Sequence, residues 1–321
     1  MAHRIRIEPV GREIVTEKGT ILDACLRQGI WLPHACTHGT CGTCKARVVE
    51  GTVDFGDASV FALMDFERED GYALLCQATP LTDVVIEADV DVEPGIEYPV
   101  VEDFRAVVHE IVPASPSVRV VRLLLDRPFR ALPGQYFHLQ IPRTQSERAY
   151  SIANLSNADG LLELHIKYSP QGIASEWMFQ ACQIGDEVGV SGPYGRFVLR
   201  PASPEPIVFL AGGTGWAPIK AMLLALLQRN PDHPVTLIFG ARTLAELYDH
   251  DWLREMAKTY PAFQYIPAVS DEIVDDMHIA RGRVDEVVKE RFPKLSGYKA
   301  YVAGPPPMVE ACVAALYERR L

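Results

Sequence analysis

Cys36-Thr-His-Gly-Thr-Cys41-Gly-Thr-Cys44 is the stretch from which the rest of the chain is best read, and a fourth cysteine, Cys76, follows after 31 intervening residues. The spacing C-x4-C-x2-C…C is the plant-type ligand set of a [2Fe–2S] cluster. Three thiolates from one loop and a fourth from afar must converge on two irons. Gly39 and Gly42 suit such a loop, which needs unusual backbone angles and close approach of amide N–H groups to sulfur. A structural zinc site would usually repeat a short C-x2–4-C unit twice. A Rieske centre, hinted at by Cys36-Thr-His38, would need a second C-x2-H half that the sequence lacks. Disulfides are disfavoured by the absence of a secretory segment. Cys36, Cys41, Cys44 and Cys76 are therefore the expected metal ligands.

The chain has 321 residues, enough for two or three domains, with 48% hydrophobic residues and a net charge of −11. No apolar run is long enough for a membrane helix and no signal-peptide pattern opens the chain, so a cytoplasmic protein that does not engage membranes is expected. The acidic balance argues against nucleic acid as a partner. Residues 1–91 hold 8 Lys+Arg against 15 Asp+Glu, carrying −7 of the total. That is either a solvated acidic surface or a face that steers a partner with a basic dock. Cys25, Cys182 and Cys312 lie in apolar or helical contexts and read as packing residues.

Outward from the cysteines, Arg4–Val10 and Arg12–Glu17 read as a hairpin. Thr20 caps a helix that Gly29 closes. Lys45–Val53 and Val84–Val90 read as strands, and Ser59–Asp70 as a short acidic helix. Asp91–Glu102 is an acidic linker broken by Pro94, Gly95 and Pro99. From Asp103 to about Pro201 short alternating strands predict an antiparallel barrel with one helix near Ala174–Gln180. From Glu205 onward, apolar strands alternate with helices, among them Pro218–Gln228 and Leu244–Lys258, which predicts a parallel α/β domain. The expected divisions are 1–92, 103–201 and 205–321.

Two turns of the last domain carry chemistry. Gly212-Gly213-Thr214-Gly215 follows a buried strand and opens a helix, the setting in which backbone N–H groups meet a phosphate. A tight turn made only for packing is the competing reading. Gly304-Pro305-Pro306-Pro307 follows the last strand, and both turns should line one crevice beyond the strand ends. In the middle domain, Arg148-Ala-Tyr150-Ser151 offers a phosphate contact, a stacking ring and a hydroxyl. On its own it is equally a barrel strand with odd polar residues.

Arg148–Ser151 resembles the R-x-Y-S flavin motif of the ferredoxin–NADP reductase superfamily. The Lys167–Ser175 segment with Gly172 resembles that family's flavin-diphosphate segment, Gly192-Pro-Tyr-Gly195 its barrel closure, and the two glycine turns its nicotinamide-nucleotide motifs. The order of the parts is similar to the reductase components of bacterial multicomponent oxygenases, most of all to phenol hydroxylase reductases around Trp31–Cys36 and Phe61–Asp65.

The resemblance implies a β-grasp ferredoxin domain (α+β), an antiparallel β-barrel flavin domain and an α/β parallel-sheet nucleotide domain. It implies FAD, NADH and the [2Fe–2S] cluster as cofactors. Tyr150 and Ser151 would sit at the reacting ring. Arg148, His165, Lys167, Gly172, Ser175, Gly212, Gly213, Thr214, Gly215, Gly304 and Pro305 would hold the two nucleotides. Hydride transfer requires a near-attack separation of roughly 3–3.5 Å and no general acid or base. Electrons would then leave singly through a cluster at roughly −400 mV. The expected partner is the oxygenase component of a phenol-type or related hydrocarbon monooxygenase. The alternatives are a non-oxygenase partner such as a deoxysugar dehydratase, or a zinc-bearing binding protein with a degenerate reductase body.

The family usually carries Cys at the position of Ala303. Its members continue past the last helix to one more strand and often a terminal aromatic that covers the flavin, whereas this sequence stops at Leu321. Val269-Ser270-Asp271-Glu272 places two carboxylates where NADP-dependent relatives hold a Ser-Arg pair, and this favours NADH.

Overall fold

Five strands of the N-terminal unit form a mixed sheet in the order Arg12–Thr16, His3–Glu8, Val84–Glu87, Lys45–Glu50, Tyr72–Leu74. The structure is a computed structural model that describes residues 2–90, 94–142, 144, 146–200 and 204–321. His3–Glu8 runs antiparallel to its hairpin partner and parallel to Val84–Glu87. One helix, Ile21–Arg27, packs on the sheet through Ile21, Leu22, Cys25 and Leu26. Thr20 Oγ1 accepts the Asp23 N–H at its start, as a Thr cap should.

The expected helix over Ser59–Asp70 is only Asp65–Glu69. Met64 is extended, and its N–H donates to Glu67 Oε2 at 2.9 Å, so the helix can begin only after it. The residues before it, Ser59 to Leu63, form a turn whose amides return to Ser59.

The chain divides into two compact units, Met1–Glu102 with Gly192–Arg196, and Asp103–Ser191 with Phe197–Leu321. Within the first, the Gly195 N–H donates to His34 Nε2 at 3.2 Å, while His34 Nδ1 meets Leu32 O at 2.8 Å. The sequence-based limits at Val92 and Pro201 lie outside the described residues.

Two further sheets have most of their residues in the second unit. Six antiparallel-paired strands run in the order Glu147–Ser151, Tyr136–Gln140, Glu187–Tyr194, Glu102–Ser115, Val118–Leu125, Leu161–Lys167. A bridge between Ile152 and Leu164, with the Ala153 N–H on Glu163 O at 2.9 Å, joins the first strand to the last and closes the barrel. Its core holds Phe104, Phe137, Leu139, Leu162, Leu164 and Ile166. The helix Ile173–Gln180 caps it through Ala174 and Met178.

The other sheet is wholly parallel, in the order Ala280–Arg281, Phe263–Val269, Val235–Ala241, Ile207–Gly212, Lys299–Ala303. Strand Ile207–Gly212 is buried throughout, as a strand covered on both faces must be. The chain order reverses beside it, because Val235–Ala241 lies on one side and Lys299–Ala303 on the other. The helix expected over Leu244–Lys258 is broken into a 3-10 turn, Leu244–Glu246, and a helix, His250–Thr259. Asp249 stands between them at φ +60°, a left-handed conformation that no α-helix can pass through. Cys25, Cys182 and Cys312 are all buried. Burial pushes the Cys25 and Cys312 thiols up to about 12 and Cys182 to about 11, which keeps them unreactive.

Candidate electron-transfer sites

The cysteine loop is built from left-handed residues. Thr37, Gly39 and Gly42 have φ of 61°, 81° and 73°. A side chain on Gly39 would meet Gln77 Cγ at 2.8 Å and Asp57 O at 3.1 Å, so the loop tolerates only hydrogen there. Cys44 and Cys76 are buried, Cys36 is half-buried and Cys41 is exposed.

Burial raises the Cys36 thiol, but the amides of Thr40 and His38 and the thiol of Cys41 outweigh it and bring it to about 6. The hydrogen bond from Cys76 holds Cys44 low, and the Gly39 amide reaches Cys76. Amide N–H groups turned toward a set of paired sulfurs are what thiolate ligands of a cluster require, so these residues fit a [2Fe–2S] centre.

In the second unit, a crevice of about 260 Å³ opens where the parallel sheet reverses. Gly212 and Gly213 line one side and Pro305, Pro307 and Met308 the other, so both turns do border one cleft. The helix Trp216–Arg229 starts at Gly215 with no side chain capping it, which leaves its first N–H groups to a ligand. Gly215 packs so closely that a Cβ would stand 2.1 Å from Ala303 O. Thr214 lies in the same 3-10 turn, half-buried, and Gly304 follows the last strand. This cradle fits a nucleotide diphosphate.

The far end of the crevice, where the sequence had pointed to Ser270–Glu272, is lined by Gly240, Ala241, Arg242, Glu246, Ser270 and Arg283, of which Glu246 and Arg283 had not been singled out. Arg242 NH2 is held by Glu246 Oε1 at 2.8 Å. Ser270 Oγ donates to Asp271 Oδ1 at 2.5 Å, and Glu272 Oε2 accepts the Leu244 N–H at 2.8 Å. The guanidinium is thus already neutralised and a carboxylate stands beside it, an arrangement that suits a free ribose hydroxyl better than a phosphate.

The flavin residues are placed unevenly. Arg148 is exposed on the barrel strand Glu147–Ser151, with NH1 on Glu147 O at 2.7 Å. Tyr150 packs against the barrel core, and burial pushes its hydroxyl up to about 12 despite Arg148. Ser151 is half-buried opposite Tyr136. Lys167 is exposed and lines the crevice. An exposed guanidinium and a half-buried ring two residues apart on one strand fit the phosphate arm and ring of FAD.

Gly172 and Ser175 shape a loop instead of presenting side-chain donors to it. Ser175 Oγ donates to Ser169 O at 2.9 Å and Gly172 O at 3.0 Å, and accepts the Ser169 N–H at 3.1 Å.

His165 is turned into the protein. Its Nε2 meets Glu163 Oε1 at 3.2 Å and its Nδ1 meets Tyr248 OH at 3.1 Å, with the side chain fully enclosed. Its strand alternates as the sequence suggests, but Glu163 and His165 meet the nucleotide-binding half, not water. Lys220 Nζ bonds Glu163 Oε1 at 2.9 Å and Asp249 Oδ2 at 3.0 Å, and Trp216 Nε1 adds a bond to Asp249 at 3.0 Å. Tyr248 OH also lies 3.3 Å from Gly213 O, so the cluster reaches the nucleotide turn itself.

Burial would raise the Glu163 carboxyl, but His165 and Lys220 hold it well below the usual range, whereas burial lowers His165. The pair is therefore carboxylate and neutral imidazole. Lys220, Asp249 and Tyr248 gave no sequence signal beyond a lone lysine in the apolar run of Trp216–Arg229.

Comparison with known proteins gives three successive family matches. They are a 2Fe-2S iron-sulfur cluster binding domain over residues 5–81, an oxidoreductase FAD-binding domain over 105–199 and an oxidoreductase NAD-binding domain over 209–314. The chain belongs to the ferredoxin–NADP reductase family, with an N-terminal [2Fe–2S] domain. The reductase is 43% identical to the phenol hydroxylase P5 protein of Acinetobacter pittii (strain PHEA-2), over 100% of this chain and 92% of that one. It is equally similar, 43% over the same shares, to DmpP, the reductase component of phenol 2-monooxygenase from Pseudomonas sp. (strain CF600). The crystal structure of the Amycolatopsis cytochrome P450 reductase GcoB superposes with a TM-score of 0.92 at 37% identity, covering 99% of this chain and 95% of that one. The reductase is an NADH oxidoreductase using FAD and a [2Fe–2S] cluster.

Proposed function

We propose that the reductase supplies electrons from NADH to the oxygenase component of a multicomponent monooxygenase acting on phenol or a related aromatic. The observation that carries this reading is the full-length similarity to two phenol hydroxylase reductase proteins. Bound FAD would accept hydride from NADH and release electrons singly to the cluster, the chemistry flavins supply.

The chain's own residues do the rest. Gly212, Gly213, Thr214, Gly215, Gly304 and Pro305 hold the dinucleotide in the crevice, with the phosphates at the uncapped helix start. Arg148 and Lys167 neutralise the flavin's phosphate arm, while Tyr150 and Ser151 border its ring. Gly172 and Ser175 keep the adjoining loop closed. His165 acts from behind, through Tyr248 and Gly213. Cys36, Cys41, Cys44 and Cys76 hold the cluster.

We assign residues 1–92, 103–201 and 205–321 to the three domains, and the cytoplasm as the working compartment. No helix among the described residues is long and apolar enough to cross a membrane.

The test is an anaerobic NADH titration of the holoprotein, followed by turnover with the oxygenase component of the strain CF600 phenol 2-monooxygenase. Flavin and cluster absorbance should bleach together, and phenol should be hydroxylated at the expense of NADH. Bleaching of the flavin alone, or no phenol turnover with an active oxygenase, overturns the reading.

A further inference from the structure

Asp285 lines the crevice of the second unit, yet it is only 6% exposed, its side chain 8%. Aspartates are rarely so enclosed unless paired. A carboxylate can accept about four hydrogen bonds. Among the described residues this one accepts a single long bond, from Arg283 NH2 at 3.3 Å. That guanidinium is itself 64% exposed and also turns to Glu286 Oε1 at 3.6 Å.

Helix capping does not account for the burial. Asp285 stands in the first turn of the helix Val284–Arg291, where the helix dipole favours an acid. Glu286 already fills that role from the surface, accepting the Arg283 N–H at 2.7 Å with a side chain 54% exposed. An acid placed there for the dipole gains nothing from being enclosed.

The surroundings are apolar, and two strand ends in them carry no side chain. A Cβ on Gly240 would stand 2.3 Å from Val284 Cγ2, and one on Gly212 would stand 2.3 Å from Met308 Sδ. Pro307 and Ala311 continue the lining. Bare backbone, aliphatic carbon and a thioether around one carboxylate suit a flat heteroaromatic ring with a hydrogen-bond donor on its edge.

The Gly282 N–H donates to Val269 O at 2.9 Å, which fastens the segment leading into Asp285 beside Ser270, at the ribose end of the crevice. The ring joined to that ribose is adenine, and its N6 amine is a donor. The diphosphate offers acceptors only, so it gives this carboxylate nothing.

We infer that Asp285 is a specificity-determining residue for the dinucleotide: its carboxylate accepts the N6–H of adenine, with the ring laid between Val284 and Met308. The inference rests on the proposed seating of NADH in this crevice. A buried acceptor should reject a base that presents an acceptor at the same atom.

The experiment compares NADH with reduced nicotinamide hypoxanthine dinucleotide, in which a carbonyl oxygen replaces the amine. The new N1–H of that base lies one ring atom away, out of reach of a carboxylate set for the amine. Turnover with ferricyanide is read on the holoprotein, wild type and Asp285→Asn, with flavin content checked. Wild type should favour NADH by about tenfold or more in kcat/KM. Asp285→Asn should lose this preference or reverse it, because the asparagine amide can donate to the carbonyl oxygen. Equal use of both dinucleotides by wild type overturns the inference without any variant, and so does an unchanged preference in Asp285→Asn. If Asp285→Asn fails to hold flavin, the wild-type comparison decides. The readout needs no oxygenase, so a failure to drive phenol turnover strikes the proposed partner and leaves this inference standing. An unaltered KM for NADH in Gly215→Ala would instead remove the crevice reading on which it rests.

Discussion

Lys220 Nζ donates to Glu163 Oε1 across 2.9 Å, and this bond ties the helix that opens the nucleotide turn to the last strand of the barrel. Glu163 is held on its other oxygen by Arg122 Nε at 2.8 Å, and Lys220 reaches on to Asp249. Every charge in the cluster has an opposite neighbour, which is the condition under which buried ions are tolerated.

Removing the lysine alone should therefore be costly. Lys220→Met leaves the carboxylates of Glu163 and Asp249 short of a cation, and a loss of about 3 kcal/mol is expected in the second unit. Denaturant unfolding followed by flavin fluorescence measures it. The double variant Lys220→Met/Glu163→Gln should recover part of the loss, because the stranded charge is gone. Equal losses in single and double variants would show that the pair is not coupled.

Acid should loosen the same network. His165 is held below its ordinary value of 6.5 by burial, so the unfolded chain takes up a proton that the folded chain refuses. Its contribution is full above about pH 6.5 and falls as pH drops below that value. Glu163, also lowered, adds to the loss below about pH 4.5, where the unfolded carboxyl begins to protonate. His165→Gln removes the first of these. Its Tm should fall less than wild type's between pH 7.5 and 5.5, and an identical fall in both proteins would refute the assignment.

At the far end of the crevice, preference for NADH over NADPH should rest on charge. Glu246→Gln releases Arg242, and Asp271→Ser removes the carboxylate beside it, the Asp271 N–H sitting on Arg242 O at 2.9 Å. Together they should raise the NADPH/NADH ratio of kcat/KM by roughly tenfold or more, equivalent to about 1.4 kcal/mol. Ferricyanide turnover reads this without any partner protein.

Cys41→Ser separates the two halves of the electron path. Reduction of ferricyanide by NADH through the flavin should survive, and cytochrome c reduction through the cluster should drop to background. Loss of both would mean that the cluster loop supports the flavin half as well.

Gly215→Ala tests the cradle directly. The new methyl would lie 2.1 Å from Ala303 O, so the turn must move away from the last strand. The KM for NADH should rise about tenfold or more, with flavin content unchanged, because the barrel residues are untouched. An unaltered KM would place the nucleotide elsewhere.

Much of this was legible in the residues. The C-x4-C-x2-C spacing, the glycine turn after the apolar strand Ile207–Gly212, and the alternation of the barrel strands all have short-range causes that a linear reading can follow. What stayed hidden depends on contacts between distant segments. Glu163 and His165 occupy positions that alternation assigns to water, and only the approach of Trp216–Arg229 and Asp249 turns them into an interior. The break at Asp249 is of the same kind. Its left-handed backbone holds a carboxylate for Trp216 and Lys220, partners 33 and 29 residues away. The half-turn over Ser59–Leu63 was hidden by composition, since acidic residues on both sides suggested one longer helix.

The strand Leu161–Lys167 has a consequence for recombining such proteins. Its odd and even positions answer to different neighbours: Leu162, Leu164 and Ile166 fill the barrel, while Glu163 and His165 are matched to Lys220 and Tyr248. A hybrid enzyme that joined this barrel to a nucleotide-binding half from a distant relative would inherit two orphaned polar groups at the seam. Transplanting Glu163 and His165 together with their partners, as one cassette, is the condition for such a hybrid to keep its fold.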